Sequence, residues 1–224
     1  MKFKFIYLVL GLLISTTLFA QKLSETESKI QELGFVDIQK EDPSIIVDMM
    51  YTKPDNFVGV IMYQDLNKAY LHPIAAKSLI KAHKELKRRC PKCRFIVYDA
   101  TRPMSVQQTM WNKVKGTSKS KYVSNPANGG GLHNYGMAVD ISILGNNGKP
   151  ISMGTKVDHL GYEAHIDQEK ELVTKGIITE QERKNRVLLR EVMVYGGFKP
   201  LKSEWWHFNR IYRPEAKKNY KVVP

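Results

Sequence analysis

His133 and Asp140 lie seven positions apart in a glycine-rich stretch of the chain, and both residue types are good zinc ligands. Two donors on one ion must lie within a few ångströms of each other. A continuous helix would separate positions seven apart by about 10 Å along its axis, and a continuous strand would point them to opposite faces. The chain must therefore turn between them, and Gly136 can provide that turn. Taken alone, the stretch is explained equally well by a surface histidine and an ordinary strand aspartate.

A second segment, at positions 203–208, places Glu204 and His207 three residues apart with Trp205 and Trp206 between them. Such a pair meets on one side of the chain if the backbone makes a helical turn or a kink. A catalytic zinc site has three protein ligands and one position for water, whose proton a nearby carboxylate takes. His207 would then complete the ligand set, and Glu204 would be the general base. Considered by itself, the segment is explained more simply by two core tryptophans with polar residues at their edge.

Arg102 follows directly after a predicted strand, where its side chain is well placed to face a pocket. Its guanidinium could stabilise the oxyanion that forms when water attacks a peptide carbonyl. A surface salt bridge is the ordinary interpretation of such an arginine, and it is favoured unless the other two segments lie beside it.

The elements that would position these residues follow from hydrophobic periodicity and from the residues that begin and end helices. Apolar residues at 75, 79, 82 and 86 form one face of a helix that Pro73 begins and Pro91 ends. Strands are predicted at 45–51, 94–100, 137–144 and 205–211, further helices after Ser24, at 103–114 and from Thr179 to Gly196, and a surface loop at 116–131. This mixture predicts a single α+β domain.

The first twenty residues have the layout of a secretory signal peptide. Lys2 and Lys4 precede an apolar stretch at 6–14 that is too short for a confident membrane span, and Ala20 is a small residue suited to cleavage. We therefore expect residues 1–20 to be removed and residues 21–224 to form the mature domain. The protein would be exported to the periplasm, with no stable membrane insertion after cleavage. An uncleaved N-terminal anchor is the alternative.

The chain is strongly basic, with 35 Lys and Arg against 22 Asp and Glu and a formal net charge of +13. Such a charge attracts polyanions, and for an exported protein these would be anionic polymers of the cell envelope. The sequence contains no zinc-finger spacing, helix-turn-helix pattern or run of basic residues interleaved with aromatics. We therefore expect no nucleic-acid partner.

The chain has two cysteines, Cys90 and Cys93, with two residues between them. In an oxidising compartment a local disulfide is the favoured interpretation. Free thiols and a redox motif are the alternatives. A four-sulfur zinc site is excluded because it would need a second pair of cysteines.

Together, the chemistry-bearing segments resemble a known family, the D-alanyl-D-alanine dipeptidases, which are related to the zinc D,D-carboxypeptidases and to the hedgehog signalling domain. The family pattern of His, two residues, Gly, one residue, Ala, one residue and Asp is matched at His133, Gly136, Ala138 and Asp140. Its Glu-Trp-Trp-His is matched at 204–207. Further similarity at 51–59, 153–158 and 185–198 extends the resemblance over residues from about 35 to 208.

The resemblance implies a hedgehog-like, D,D-peptidase-like α+β fold in which a small antiparallel sheet packs with helices. It also implies one Zn²⁺ ion as the cofactor and a small D,D-dipeptide, D-alanyl-D-alanine, as the substrate. The implied roles are metal binding by His133, Asp140 and His207, general-base catalysis by Glu204, stabilisation of the tetrahedral intermediate by Arg102, binding of the substrate's free amino group by Asp158, and a substrate contact by Tyr51.

Two other functions remain open at this point. A D,D-carboxypeptidase would cut the same bond in longer peptidoglycan peptides, but Asp158 favours the dipeptidase because a buried carboxylate pairs with a free ammonium. A non-catalytic, zinc-stabilised binding module would need neither Glu204 nor Arg102. One departure from the family concerns substrate contacts: the family usually has serine two residues before its first histidine, where this chain has Gly131.

Overall fold

A five-stranded sheet lies at the centre of the computed structural model, which describes residues 23–224. In chain order the strands are β1 (Val36–Asp37), β2 (Ile46–Val47), β3 (Tyr70–Leu71), β4 (Arg94–Asp99), β5 (Ala138–Leu144), β6 (Lys199–Leu201) and β7 (Glu204–Asn209). The central sheet has the order β2-β4-β5-β7-β6, in which only β2 and β4 run parallel. Strands β1 and β3 form a separate antiparallel pair. The predicted α+β fold is confirmed, with one parallel pair at the edge of an otherwise antiparallel sheet.

The predicted strand at 45–51 is the one that differs most from the structure. Only Ile46–Val47 pairs with the sheet, and the chain then enters a 3₁₀ turn at Met50–Thr52. The carbonyl oxygen of Tyr51 accepts hydrogen bonds from the backbone N–H groups of Met62 and Tyr63, so the following loop holds this segment in place of a neighbouring strand. The other three predicted strands agree with β4, β5 and β7 to within two residues at each end.

Seven α-helices are present within residues 23–224, and α1 and α6 begin at the capping residues that predict them. They are α1 (Glu25–Glu32), α2 (Ile38–Glu41), α3 (Pro73–Arg89), α4 (Met104–Val114), α5 (Glu169–Thr174), α6 (Glu180–Gly196) and α7 (Arg213–Asn219). Side-chain oxygens of Ser24 and Thr179 cap α1 and α6. Pro103 precedes α4 as its cap and is not its first residue. The predicted loop at 116–131 contains two 3₁₀ turns, Ser118–Tyr122 and Pro126–Asn128.

Helices α3 and α6 pack against each other at very short range. The apolar face predicted for α3 is fully buried, including Leu79 and Leu86. A Cβ atom on Gly196 of α6 would lie 2.6 Å from the carbonyl oxygen of Ser78 and 2.7 Å from the Cβ of Ala82. Glycine is therefore required at this crossing, because any side chain would push the two helices apart.

The two cysteines form a disulfide directly after α3, which is the favoured of the three states predicted for them. The predicted signal peptide at 1–20 and the domain boundary at residue 21 lie outside the described residues. Within residues 23–224, none of the helices is long and apolar enough to cross a membrane.

Candidate active site

The three predicted metal ligands, His133, Asp140 and His207, come together beside strands β5 and β7. Nε2 of His133 lies 3.2 Å from Nδ1 of His207 and 3.4 Å from Oδ1 of Asp140. The same carboxylate oxygen lies 3.0 Å from Nδ1 of His207. One donor atom from each residue thus falls within 4.8 Å of the other two. Donors that are far apart in the chain are therefore close enough to share one ion.

The turn that separates the first two donors is made by Gly136, as the sequence predicts. His133 lies in a 3₁₀ turn, Leu132–Tyr135, which Gly136 ends with a φ of +62°, in the left-handed region that favours glycine. A Cβ atom on Gly136 would overlap the ring of Phe35. After the turn, β5 pairs with β7 so that Asp140 lies directly opposite His207.

An irregularity in β7 brings Glu204 and His207 to the same side of the chain. In a regular strand, residues three apart point to opposite faces. Here the pairing of β7 with β6 passes from Leu201 opposite Glu204 to Pro200 opposite Phe208, so residues 205–207 form a bulge. An oxygen of Glu204 consequently lies 4.0 Å from Nδ1 of His207. The predicted kink is a bulge within a strand and not a helical turn.

Hydrogen bonds fix the orientation of both imidazole rings. Nδ1 of His133 donates to the carbonyl oxygen of Ala100 at 2.6 Å, and Nε2 of His207 donates to Oδ1 of Asn209 at 2.9 Å. Each acceptor holds a proton on the far side of its ring, so the nitrogens that face each other are the ones that can bind a metal. Sequence reasoning missed both acceptors. Asn209 could have been found, because residues two apart in a strand lie on the same face and Asn209 follows His207 by two positions. The carbonyl of Ala100 could not, because every residue has a backbone carbonyl and the sequence does not show which one is used.

These donors fit a zinc ion. Two imidazole nitrogens and one carboxylate oxygen are the ligand types of catalytic zinc sites, which keep a further position open. Although burial acts in the opposite direction, the two imidazoles hold the pKa of Asp140 well below its usual range. Asp140 is therefore an anion in the folded protein and can neutralise part of a cation's charge.

Glu204 is buried beside these donors. Burial, together with the nearby charges of Asp140 and Asp158, raises the pKa of its carboxyl to about 7, although His207 acts in the opposite direction. A carboxyl with a pKa near neutrality exchanges a proton readily at physiological pH, which suits a general base and acid.

Arg102 makes a buried ion pair, so the surface salt bridge considered from the sequence is not what the structure contains. Its Nε and Nη2 donate to Oδ2 of Asp99 at 3.1 and 2.5 Å, and Nη1 donates to Oε1 of Gln107 at 3.0 Å. The hydroxyl of Tyr63 donates to the other oxygen of Asp99 at 2.6 Å. Asp99, Gln107 and Tyr63 hold the guanidinium rigidly, and none of the three was predicted to do so.

Asp158 and Tyr51, both expected to contact substrate, touch each other. The Tyr51 hydroxyl donates to Oδ1 of Asp158 at 3.1 Å, whereas Oδ2 is buried and has no hydrogen-bond partner among residues 23–224. Burial raises the pKa of Asp158 to about 7, and the nearby Asp140 adds to this shift. Asp158 also has a φ of +65°, which is uncommon for a residue with a side chain. An orphan carboxylate oxygen in a strained backbone position is a feature of binding sites.

One cavity of about 330 Å³ connects these groups. All seven predicted site residues line it, namely Tyr51, Arg102, His133, Asp140, Asp158, Glu204 and His207. The cavity therefore combines three metal donors, a carboxyl of raised pKa, a fixed guanidinium and an unpartnered carboxylate oxygen. Such a set can polarise a carbonyl, activate water and bind an ammonium group.

Comparisons with known proteins agree with this chemistry. A family model described as D-ala-D-ala dipeptidase matches residues 31–223. A D-alanyl-D-alanine dipeptidase of Escherichia coli (strain K12) is 27% identical over 173 residues, which cover 77% of this chain and 82% of the relative. One from Synechocystis sp. is 26% identical over 179 residues, covering 66% and 72%. One from Enterococcus faecalis is 31% identical over 83 residues, covering 37% and 38%.

The family match spans most of the chain and includes every residue of the cavity discussed above. The chain therefore belongs to the D-ala-D-ala dipeptidase family and is a zinc metallopeptidase.

Proposed function

We propose that this protein hydrolyses the free dipeptide D-alanyl-D-alanine to two molecules of D-alanine. The observation that carries the proposal is the buried Oδ2 of Asp158, which lacks a hydrogen-bond partner among residues 23–224 and lies in the same cavity as the three proposed metal donors. A free dipeptide has a scissile carbonyl that can lie next to the proposed metal donors and an ammonium group that can pair with Asp158. The names of the relatives support the same substrate.

His133 through Nε2, His207 through Nδ1 and the carboxylate of Asp140 would hold one Zn²⁺ ion. When bound, the ion supplies Lewis-acid chemistry, which lowers the pKa of water and polarises a carbonyl oxygen. The hydrogen bonds from His133 to Ala100 and from His207 to Asn209 keep both rings in the tautomer that can bind a metal.

Glu204 would move the protons of the reaction. Its carboxylate accepts a proton from the attacking water, and the resulting carboxylic acid gives that proton to the departing amine. A pKa of about 7 suits both transfers, because neither the charged nor the neutral form is strongly disfavoured.

Arg102 would stabilise the negative charge that develops on the carbonyl oxygen. Its bonds to Asp99 and Gln107 use three of the five N–H donors of a guanidinium. The remaining donors are available to substrate, and the buried ion pair prevents the side chain from reorienting as charge develops.

Asp158 would select for a free amino group. The ammonium of the dipeptide would pair with Oδ2, and the Tyr51 hydroxyl holds Oδ1. A longer or N-acylated peptide brings no positive charge to this oxygen and leaves a carboxylate buried without a partner, which costs binding energy. This selection distinguishes a dipeptidase from a D,D-carboxypeptidase.

The proposal is tested by incubating zinc-loaded protein separately with D-alanyl-D-alanine and with its N-acetylated form, and measuring released D-alanine. We expect release from the free dipeptide only, and no release after the metal is removed with a chelator. Preference for the N-acetylated peptide would make the protein a carboxypeptidase. Zinc binding without release from either peptide would make it a non-catalytic binding module.

A variant separates metal binding from catalysis. Glu204→Gln removes the base and keeps the side-chain shape, so we expect a full complement of zinc and a loss of activity of about 100- to 10,000-fold. Glu180→Gln, a change at an exposed glutamate on α6, is the control and should retain activity.

We also propose that residues 1–20 are a cleaved signal peptide and that the protein acts in the periplasm, close to anionic envelope polymers. The N-terminal sequence pattern and the net charge of +13 support this, as does a disulfide, which suits an oxidising compartment. Cell fractionation and N-terminal sequencing of the mature protein would test it. A mature protein that begins at Met1 would contradict it.

A further inference from the structure

The hydroxyl of Ser124 lies against the place where Gly131 has no side chain. A Cβ atom on Gly131 would lie 2.9 Å from Oγ of Ser124 and 3.3 Å from its Cβ. Gly131 has a φ of −104° and a ψ of 179°, an extended conformation that any residue adopts. Its backbone therefore does not require glycine. What opposes a side chain at position 131 is the space that Ser124 already occupies.

Ser124 is held in a fixed relation to Arg102. Nε2 of Gln107 donates to the carbonyl oxygen of Ser124 at 2.8 Å, and Oε1 of the same amide accepts from Nη1 of Arg102 at 3.0 Å. Gln107 is only 1% exposed, so this bridge is shielded from water. Ser124 and Gly131 both line the cavity, and no hydrogen bond joins the Ser124 hydroxyl to another residue in the range 23–224. The hydroxyl is therefore available to a ligand.

Arg102 is connected to both Asp158 and Ser124, and all three residues line the same cavity. The Arg102 guanidinium lies 5.1 Å from the centre of the Tyr51 ring, and Tyr51 donates to Asp158. Through Gln107, Arg102 is also connected to the backbone of Ser124. A dipeptide whose ammonium meets Asp158 and whose scissile carbonyl meets Arg102 leaves its terminal carboxylate for another part of the cavity lining, which includes Ser124.

The surroundings of Ser124 suit a carboxylate. Arg213 lines the same cavity and donates from Nη2 to the carbonyl oxygen of Asn128, in the loop that carries Ser124. Its Nε is buried and has no hydrogen-bond partner among residues 23–224. A hydroxyl donor and an unpartnered guanidinium N–H are the groups that bind carboxylates in proteins.

We infer that Ser124 binds the terminal carboxylate of the substrate and supplies, from a different loop, the hydroxyl that Gly131 lacks. The inference rests on the proposed hydrolysis of D-alanyl-D-alanine and adds to it a residue that determines specificity for a free C-terminus. Because the carboxylate takes no part in bond cleavage, its bond to Ser124 is of similar strength in the ground state and the transition state. Loss of the bond should then raise KM and leave kcat almost unchanged.

The first experiment compares Ser124→Ala with the wild type on D-alanyl-D-alanine and on D-alanyl-D-alaninamide, whose terminal group has no charge. We expect KM for the dipeptide to rise about 10- to 100-fold, as for a lost hydrogen bond to a charged group, and KM for the amide to change less than threefold. Ser124→Thr, which keeps the hydroxyl, should restore most of the affinity. Ser118→Ala, at an exposed position in the same loop, is the matched control.

The second experiment moves the hydroxyl back. Ser124→Gly should lose affinity as the alanine variant does, whereas Ser124→Gly combined with Gly131→Ser should recover it to within a few-fold of the wild type. Gly131→Ser alone would crowd Ser124 and should lower affinity. Zinc content and Tm, measured on every variant, separate a folding defect from a binding defect.

The outcomes distinguish this inference from the function on which it rests. A zinc-loaded wild type that does not cleave D-alanyl-D-alanine overturns the proposed function. A wild type that cleaves it overturns the role of Ser124 if the alanine variant affects the dipeptide and the amide equally, or if the double variant is no better than Ser124→Gly.

Discussion

Asp140 and Asp158 line the same cavity, yet their surroundings push their protonation in opposite directions. Asp140 lies between two imidazoles that hold its pKa far below the usual range. Asp158 has one oxygen bonded to Tyr51 and one buried oxygen that has no partner in the described part of the chain, and its pKa is raised to about 7. Within residues 23–224, the first carboxylate has two imidazoles in contact with it, whereas Oδ2 of the second has no hydrogen-bond partner.

Folding brings charge partners to the Asp140 carboxylate, whereas we propose that the substrate brings the partner for Oδ2 of Asp158. Asp140 and His207 lie in the sheet and His133 lies in the turn before β5, and hydrogen bonds orient both imidazole rings, so the three form a preorganised site for a cation. The site around Asp158 keeps an electrostatic cost that an incoming ammonium would remove. Binding energy released there would be specific to the substrate that carries the charge.

The largest expected effect comes from removing one of the three proposed metal donors. His207→Ala removes one of three metal donors and should lower zinc content to background and D-alanine release by more than about 1,000-fold, because water activation depends on the bound ion. His159→Ala, at an exposed histidine paired with Glu163, is the control. Metal content is measured by mass spectrometry on the purified proteins. A His207→Ala protein that keeps zinc and activity would remove this residue from the site.

A change at Asp158 should affect binding of the substrate more than binding of the metal. Asp158→Asn keeps the shape of the side chain but cannot pair with an ammonium, so kcat/KM for the free dipeptide should fall about 30- to 100-fold while zinc content stays complete. Steady-state kinetics measure the fall, with Asp167→Asn, at an exposed aspartate, for comparison. An unchanged kcat/KM would mean that the substrate's amino group binds elsewhere.

A change behind the metal donors should give an intermediate effect. Asn209→Ala removes the acceptor that orients the His207 ring and should weaken zinc affinity about 10- to 100-fold. Competition with a fluorescent chelator measures the affinity, and Asn219→Ala, at an exposed residue of α7, should leave it unchanged. Equal affinities would show that the ring holds its orientation without Asn209.

The smallest expected effect is on the thermal stability of the folded protein, and its dependence on pH tests the raised pKa of Asp158. Since the folded protein raises the pKa of Asp158 from 3.8 to about 7, ionisation of this group opposes folding. The cost begins as pH rises above about 3.8 and is complete above pH 7. Without substrate, Asp158→Asn should therefore raise Tm relative to the wild type by about 10 °C at pH 8, and the difference should shrink towards pH 4. Thermal unfolding of both proteins at several pH values measures it. A wild type more stable than the variant at pH 8 would contradict the raised pKa.

The proximity of His133, Asp140 and His207 was predictable because the family pattern names these positions and the local spacing limits how the chain can reach them. The spacing of His133 and Asp140 requires a turn, and Gly136 supplies it with a positive φ. The spacing of Glu204 and His207 requires a kink, and β7 has a bulge there. In both cases, geometry within a few residues limits what the chain can do, so the pattern was informative before any tertiary contact was known.

The supports around these residues were not predictable from the sequence, since they join positions distant along the chain. Tyr63 reaches Asp99 across 36 positions, and Gln107 reaches the backbone of Ser124 across 17. The short β2 has a similar cause: residues 45–51 favour a strand by composition, but the backbone of Tyr51 is held by the loop at 62–63. Tertiary contacts of this kind override local preference.

Phe35, which lies between α1 and β1, contacts Gly136 and thereby supports the turn that positions the active-site residues. The ring fills the space beside the turn on which the distance from His133 to Asp140 depends, and the carbonyl oxygen of Gly136 also accepts from the backbone N–H of His72. A truncation that removes Phe35 would keep every residue that lines the cavity. It would still remove the ring that packs against the turn between His133 and Asp140. Phe35 therefore supports the arrangement of His133 and Asp140 from outside the cavity, which it does not line.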